Sequence, residues 1–352
     1  VKKSMKLLSA LFVSLSLTAP FAQADDPVVT LKVAHFLPLN SVTQQDFLKP
    51  WAEKITQQSN GRIQFQFYPS MQLGGTPPQL VDQVRDGVVD VVWTLPGYSS
   101  GRFPLVSVFE LPFMNRSAEA GSQAMWDFVQ AHGQKEFSSM HLLATHLTDG
   151  ALLHTVKKPI KTMADFRGMK LRTSNRTATK IISLLGGTPV AMPVPQVPEA
   201  LAKGVVDGTL VPWDVVPALK LHELVKYHTE MAQGMPALNY TVIILAMNND
   251  KYASLPDDLK KIIDDNSGST LSAEAGRIWD TQVVETGHKL AESRGNQIYY
   301  LPKEEQEKWM KATKPMEKEW VKEVAGKGYS NGDALLKETH ELIEKYNAQI
   351  QR

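Results

Sequence analysis

The sequence contains no cysteine. That excludes a disulfide framework, a thiolate metal site and a cysteine nucleophile, and it suits an exported protein without fixing one compartment. An excess of either charge is also missing: 38 Lys and Arg stand against 37 Asp and Glu. Such a balance provides no long-range pull toward nucleic acid or an anionic membrane. Beyond residue 24 no apolar run nears the roughly 20 residues that cross a bilayer as a helix; the best candidate, Tyr240 to Met247, is strand-sized. The Gly-Gly pairs at 74–75 and 186–187 lack the following Gly-Lys-Ser/Thr of a phosphate loop. What remains is ordinary globular composition, with 43% hydrophobic and 21% charged residues. The 352 residues are enough for two domains of about 100–200 residues each.

The first 24 residues read as an address. Lys2, Lys3 and Lys6 precede an uncharged apolar run from Leu7 to Leu17, and Pro20 leads to the small-x-small site Ala22-Gln23-Ala24. These are the three regions of a secretory signal peptide, with an apolar run too short for a membrane anchor. Its removal takes three lysines and no acids, leaving 35 Lys and Arg against 37 Asp and Glu. Recognition by the mature chain must then rest on local chemistry.

From residue 25 onward the pattern alternates between strand and helix. Val28 to Ala34 is β-branched and apolar, residues 43–58 carry Phe47, Leu48, Trp51 and Ile55 at helical spacing, and Arg62 to Tyr68 alternates apolar with Gln. A short helix at 77–86 stops at Gly87, and Val88 to Thr94 forms the next strand. The same βαβαβ order returns in strand 169–173, helix 176–185, strand 189–192, helix 196–203 and strand 205–211. Each third strand is entered through one tetrapeptide, Gly87-Val88-Val89-Asp90 and Gly204-Val205-Val206-Asp207. The glycine fits a left-handed helix end, and the two valines are expected to begin a buried strand. The fold class is therefore α/β and two-lobed: two βαβαβ units facing a cleft. The Lys/Glu-rich helices at 303–326 and 334–350 are expected to wrap them with a solvated face. Lobe I is placed at 25–147 plus about 238–275, and lobe II at 148–237 plus about 276–352.

Ligands of such folds sit beyond the carboxyl ends of the strands. The residues found there are His35-Phe36, Trp93-Thr94, Arg172 to Asn175 and Val211 to Asp214. Arg172 stands out, because a planar guanidinium matches the two oxygens of a carboxylate and the following helix presents a positive dipole end. Asn175 suits either a helix N-cap or a ligand contact.

Several motifs then resemble one family: Gln72-Leu73-Gly74-Gly75, Arg85-Asp86-Gly87-x-x-Asp90, Phe166 through Arg172, Gly187-x-Pro189-x-x-Met192 and Ala200-Leu201-x-x-Gly204-x-Val206-Asp207-Gly208. In order and spacing they are similar to the DctP-like solute receptors of TRAP (tripartite ATP-independent periplasmic) transporters. The resemblance implies a periplasmic, non-catalytic receptor that closes on an organic acid and delivers it to membrane permease subunits. It implies that Arg172 clamps the carboxylate, with Asn175 as a polar partner. No cofactor, metal or nucleic acid is expected, and the chain reads as a monomer. The stretch Gly150 to His154 lacks the second arginine of some sugar-acid receptors, and Val211 stands where Asn is frequent. With Trp93, Tyr98, Trp213, Phe36 and Tyr240 near strand ends, the expected ligand is a monocarboxylate with an aromatic or apolar body. The alternative within the class is a C4-dicarboxylate or 2-oxo acid, with Arg102 or His154 as second anion partner.

Outside that class, Gly97-x-Ser99-x-Gly101 formally matches the nucleophile elbow of an exported serine hydrolase. Pro96 and Pro104 bracket it, and no helical period follows until about residue 117, whereas the elbow needs a strand–Ser–helix turn. The histidines lack zinc spacing: His222 and His228 are six apart, and His141 and His146 are five apart. His35, ending the first strand, is placed either to donate to a ligand oxygen or to serve the core.

Overall fold

The structure, a computed structural model, describes residues 28–350. The leader assigned to residues 1–24 lies outside the described residues. Eleven strands are seen among the described residues: β1 (Val29–Ala34), β2 (Ile63–Tyr68), β3 (Val91–Thr94), β4 (His141–Leu147), β5 (Leu152–Thr155), β6 (Lys170–Thr173), β7 (Thr188–Ala191), β8 (Gly208–Val211), β9 (Tyr227–Glu230), β10 (Val242–Met247) and β11 (Gln297–Tyr300). They form two sheets, ordered β2-β1-β3-β10-β4 and β11-β9-β5-β8-β6-β7. Each sheet anchors one lobe of the α/β fold expected from the sequence.

The two predicted units lie at corresponding places. In the first lobe β1 pairs in parallel with both β2 and β3, and in the second β6 pairs in parallel with both β7 and β8. The crossovers run through α1 (Lys49–Gln58), which a π-helical turn at Thr43–Leu48 opens, and α2 (Leu80–Arg85) in lobe I. After α3 (Ala118–His132), the lobe II crossovers are α4 (Arg176–Leu184) and α5 (Val197–Ala202). The apolar residues of β1, β3 and β10 pack with Phe47, Leu48 and Ile55 into a continuous core.

The repeated tetrapeptide does the same work twice. Gly87 and Gly204 have φ of 72° and 67°, the left-handed region that ends a helix cheaply only for glycine. Val88 N–H then donates to the Gln83 carbonyl at 2.9 Å, and Val205 N–H to the Ala200 carbonyl at 2.9 Å. The aspartates extend the sheet. The N–H of Lys32 donates to Asp90 Oδ2 at 2.8 Å, and that of Lys170 to Asp207 Oδ2 at 2.9 Å. Asp90 and Asp207 return their own N–H groups to the carbonyls of the same lysines. The expectation that both valines start the strand needs correction: Val88 and Val205 are exposed (51% and 49%) in the turn, Val89 and Val206 are buried, and the ladders begin at Val91 and Gly208. A side-chain carboxylate filling the place of a main-chain acceptor delays the strand.

The chain passes between the lobes at 148–151, at 231–241 and along one long helical segment. That segment starts as Gly268–Ile278, packed on α3 and β4, makes a π-helical turn at Trp279–Val283, and continues as Val284–Ser293 against β11. The expected C-terminal helices are present as Lys303–Thr313, Pro315–Gly326 and Gly332–Ile350. The last packs on α3 in lobe I, while Glu323 reaches Arg176 of α4 at 2.7 Å, so the hairpin straps both lobes.

A Cβ at Gly204 would meet no atom within 4 Å, and one at Gly87 only the Asn248 amide at 3.7 Å. Gly87→Ala and Gly204→Ala should therefore each cost about 1 kcal/mol through backbone strain alone. Lying in different lobes, the two effects should add, which denaturant titration of the single and double variants will measure.

Candidate functional site

The four loops expected to meet a ligand converge. Phe36 after β1, Trp93 on β3, Arg172 and Ser174 at the end of β6, and Val211-Pro212 with Asp214 after β8 line one narrow cavity of about 30 Å³. Lobe I adds Leu37, Leu95, Tyr98, Thr148, Thr241 and Ile243, and lobe II adds Val194, Leu210 and Val215. Larger grooves exist, including one of about 400 Å³ between the 96–104 loop, α4 and the helix Pro315–Gly326. The buried guanidinium, however, faces the strand-end cavity.

Arg172 is 1% exposed. Its Nε donates to the Met192 carbonyl at 2.9 Å, just past β7, which explains the Gly187-x-Pro189-x-x-Met192 motif as the backbone that aims the arginine. The guanidinium also interacts with the Tyr98 phenol, and Nη2 is buried with no hydrogen-bond partner in the protein. Burial pulls the guanidinium below its ordinary value, opposed by Tyr98; a guanidinium nonetheless stays cationic in a protein. Tyr98 is pushed up by burial, so its phenol is neutral, and it accepts the Val194 N–H at 3.0 Å across the cleft. An unpaired buried cation donor at the end of an otherwise apolar chamber is suited to holding a carboxylate.

The facing wall is aromatic. Phe36 lies 5.2 Å from Trp93 and 5.6 Å, edge-on, from Tyr98. Trp93 is fixed from behind, its Nε1 donating to His146 Nε2 at 2.9 Å while Trp279 stacks on it at 6.4 Å and 16°. At the other side Asp214, 4% exposed, accepts from Trp279 Nε1 at 3.0 Å through Oδ2, and its Oδ1 is buried without a partner. Burial lifts this carboxyl to about 6. Beyond it Asp149, whose Oδ2 accepts the Trp213 N–H at 2.6 Å, is pushed well up, first by burial and then by the charge of Asp214.

Of the candidates named from sequence, Arg172, Trp93, Tyr98 and Phe36 meet in the cavity, and His35, Arg102, His154, Asn175, Trp213 and Tyr240 lie elsewhere. Arg102 is corrected to a surface role: its side chain is 36% exposed and Nη1 pairs with Asp82 Oδ1 at 2.7 Å, because the 99–102 turn folds back onto α2. His35 is fully buried beneath the wall, with Nε2 bonded to Gln44 Oε1 at 2.7 Å. Asn175 caps α4 by accepting the Ala178 N–H at 2.9 Å, and its Nδ2 donates across the lobes to Glu110 Oε1 at 2.8 Å. Trp213 and Tyr240 turn away from the cavity into a hinge groove, where Trp213 Nε1 donates to Glu230 at 2.8 Å. In the turn after β8 it is Asp214, not the Trp213 indole, that lines the cavity. Asp214, Ser174 and the two threonines were missed; for Asp214 the signal was its place in the Val211–Asp214 strand end.

His154 is buried in a chain that fixes every tautomer. Its Nε2 donates to the Val211 carbonyl at 3.2 Å, so its Nδ1 accepts from His228 Nδ1 at 2.7 Å, and His228 Nε2 accepts from Asn296 Nδ2 at 3.1 Å. Both rings must be neutral, in line with burial depressing His154 well below and His228 to about 4. Ser99 ends a 3₁₀ turn (Pro96–Tyr98), not the start of a helix, and its hydroxyl lies 3.4 Å from the Pro78 carbonyl.

The buried ionisable groups set a pH dependence. Burial raises Glu110 to about 8 and Glu136 to about 7, above the unfolded value near 4.3. The stability they add is complete below the unfolded value and is lost as pH rises through 7–8. His35, His146 and His228, depressed to about 4 by burial, act oppositely and only below about 6.5. The melting temperature should therefore fall between pH 6.5 and 8.5, and Glu110→Gln should reduce that fall in calorimetric scans.

Comparison with known proteins identifies the fold and the family. Residues 33–323 match the family described as bacterial extracellular solute-binding protein, family 7 (DctP). The fold superposes on a TRAP solute binding protein from Rhodoferax ferrireducens, in complex with copurified benzoate, with a TM-score of 0.90 and 42% identity, covering 92% of this chain and 100% of that one. A marine-metagenome TRAP solute binding protein specific for aromatic acid ligands, with 3-hydroxybenzoate, gives 0.88 and 45%, covering 91% and 99%. A Bordetella bronchiseptica relative with bound (R)- and (S)-mandelate gives 0.83 and 29%, covering 90% and 99%. The match across both lobes, together with a strand-end cavity built around a buried arginine, means that this chain belongs to the DctP-like solute-binding proteins of TRAP transporters.

Proposed function

We propose that this chain is a periplasmic receptor that holds an aromatic or apolar monocarboxylate through Arg172 and delivers it to the membrane subunits of a TRAP transporter. The observation that carries the reading is the buried Arg172 guanidinium, whose Nη2 has no protein partner, in a cavity otherwise walled mainly by Phe36, Trp93, Tyr98 and aliphatic side chains. A bidentate or single charge-assisted bond supplies orientation, and burial of the ligand body supplies the remaining free energy. The benzoate, 3-hydroxybenzoate and mandelate bound by the similar structures are acids of this kind. A second carboxylate lacks a cation: Arg102 is engaged on the surface with Asp82, and His154 is held neutral in its chain. That favours a monocarboxylate over a dicarboxylate.

The reading includes an exported mature chain freed of residues 1–24, acting without catalysis as a monomer. It divides the chain into lobe I, 25–147 plus about 238–275, and lobe II, 148–237 plus about 276–352. The ligand-binding set is Arg172 with Trp93, Tyr98 and Phe36. Among the described residues no helix is long and apolar enough to cross a membrane.

Thermal-shift and calorimetric titration with aromatic acids, dicarboxylates, 2-oxo acids and sugar acids test the reading. Aromatic monocarboxylates should raise the melting temperature with concentration, since only the native state binds. Arg172→Lys should weaken binding by about 2–5 kcal/mol, because it keeps charge but loses the fork. An Arg172→Ala variant that binds as tightly as the wild type would falsify the assignment.

A further inference from the structure

Two residues that line the ligand cavity each carry a buried polar atom with no hydrogen-bond partner among the described residues, and the two atoms are opposite in character. One is Nη2 of Arg172, a cationic donor; the other is Oδ1 of Asp214, a carboxylate acceptor. Buried polar atoms are satisfied almost everywhere in native proteins, so each orphan calls for a reason. A ligand carboxylate answers the first and leaves the second untouched. Asp214 is also held rigidly, since Oδ2 is fixed by the indole of Trp279 at 3.0 Å, and Trp279 in turn stacks on the cavity wall at Trp93. The hydroxyls of Ser174, Thr148 and Thr241 also line the cavity, yet a hydroxyl both donates and accepts and imposes no polarity on a ligand. An ionised carboxylate only accepts.

We infer that Asp214 is a second polar anchor that selects, among aromatic monocarboxylates, those carrying a neutral hydrogen-bond donor such as a ring hydroxyl, and that it rejects a second carboxylate. The inference rests on the functional reading above and names the ligand class more narrowly. With the ligand carboxylate at Arg172, the ring lies against Phe36 and Trp93, and its O–H donates to Asp214 Oδ1. A plain aromatic acid leaves that oxygen desolvated and unpaired, which is the costly outcome. A second carboxylate adds like-charge repulsion in a closed, weakly screened space. One residue thus provides both the attraction and the exclusion.

The test is calorimetric titration of the mature chain at pH 8, where Asp214 is ionised, with benzoate, the three hydroxybenzoate isomers, isophthalate and terephthalate. At least one hydroxybenzoate should bind tenfold or more tightly than benzoate, and both dicarboxylates at least a hundredfold more weakly than that isomer. Asp214→Asn retains volume and an acceptor for Trp279, and should reduce the hydroxybenzoate-to-benzoate preference to threefold or less. Benzoate matching every hydroxybenzoate, a dicarboxylate matching the best of them, or a preference that survives in the variant would each overturn the inference while leaving the receptor assignment in place. If the variant does not fold, as circular dichroism will report, the wild-type series decides alone. If none of the six acids binds while another organic acid does, the aromatic reading itself fails and the inference falls with it.

Discussion

A buried positive charge with no acidic partner among the described residues governs this structure. Desolvating a guanidinium costs several kcal/mol unless a counter-charge and hydrogen bonds offset it. Here the Met192 carbonyl and the Tyr98 phenol, both neutral, are the groups that meet Arg172. The missing counter-charge has to arrive with the ligand. Arg172 stands on lobe II, while Tyr98, Trp93 and Phe36 stand on lobe I. Charge neutralisation and lobe contact are therefore parts of one event: the anion completes the electrostatics only where the aromatic wall excludes water.

The supporting shell is built from donors and acceptors with fixed direction. The indoles of Trp93, Trp213 and Trp279 can only donate, and each finds an acceptor, in His146, Glu230 and Asp214 respectively. The chain from Asn296 through His228 and His154 to the Val211 carbonyl runs in one sense only, and it ends on the strand that forms the cavity floor. Such networks are worth having only when complete, and this one is complete while both rings stay neutral.

Much of this was legible in the sequence. Apolar periodicity and the two Gly-Val-Val-Asp turns located both folding units, because burial pattern and left-handed glycine geometry are local properties. The strand-end rule then led to four of the loops that line the cavity, and to Arg172 within them. Which side chain of a loop points inward was not legible. Trp213 drew attention as the larger group, but one residue's difference in direction placed Asp214 in the cavity and the indole beneath Gly287, whose added Cβ would lie 2.6 Å from the ring. Asn175 was read as a ligand group or a cap; its bond to Glu110 depends on a residue 65 positions away. Arg102 was drawn to Asp82 by the same kind of long-range pairing, which no spacing rule encodes.

The long helical segment has a mechanical consequence. Its first part is clamped to lobe I and its last part to lobe II, with the wider π-helical turn at Trp279–Val283 between them. A rod gripped at both ends flexes where its internal bonding is loosest, so the axis of any opening runs close to that turn. Trp279 sits at this fulcrum with its ring on the ligand wall and its indole N–H on Asp214. The joint and the binding chamber share a part, and what fills one bears on the travel of the other.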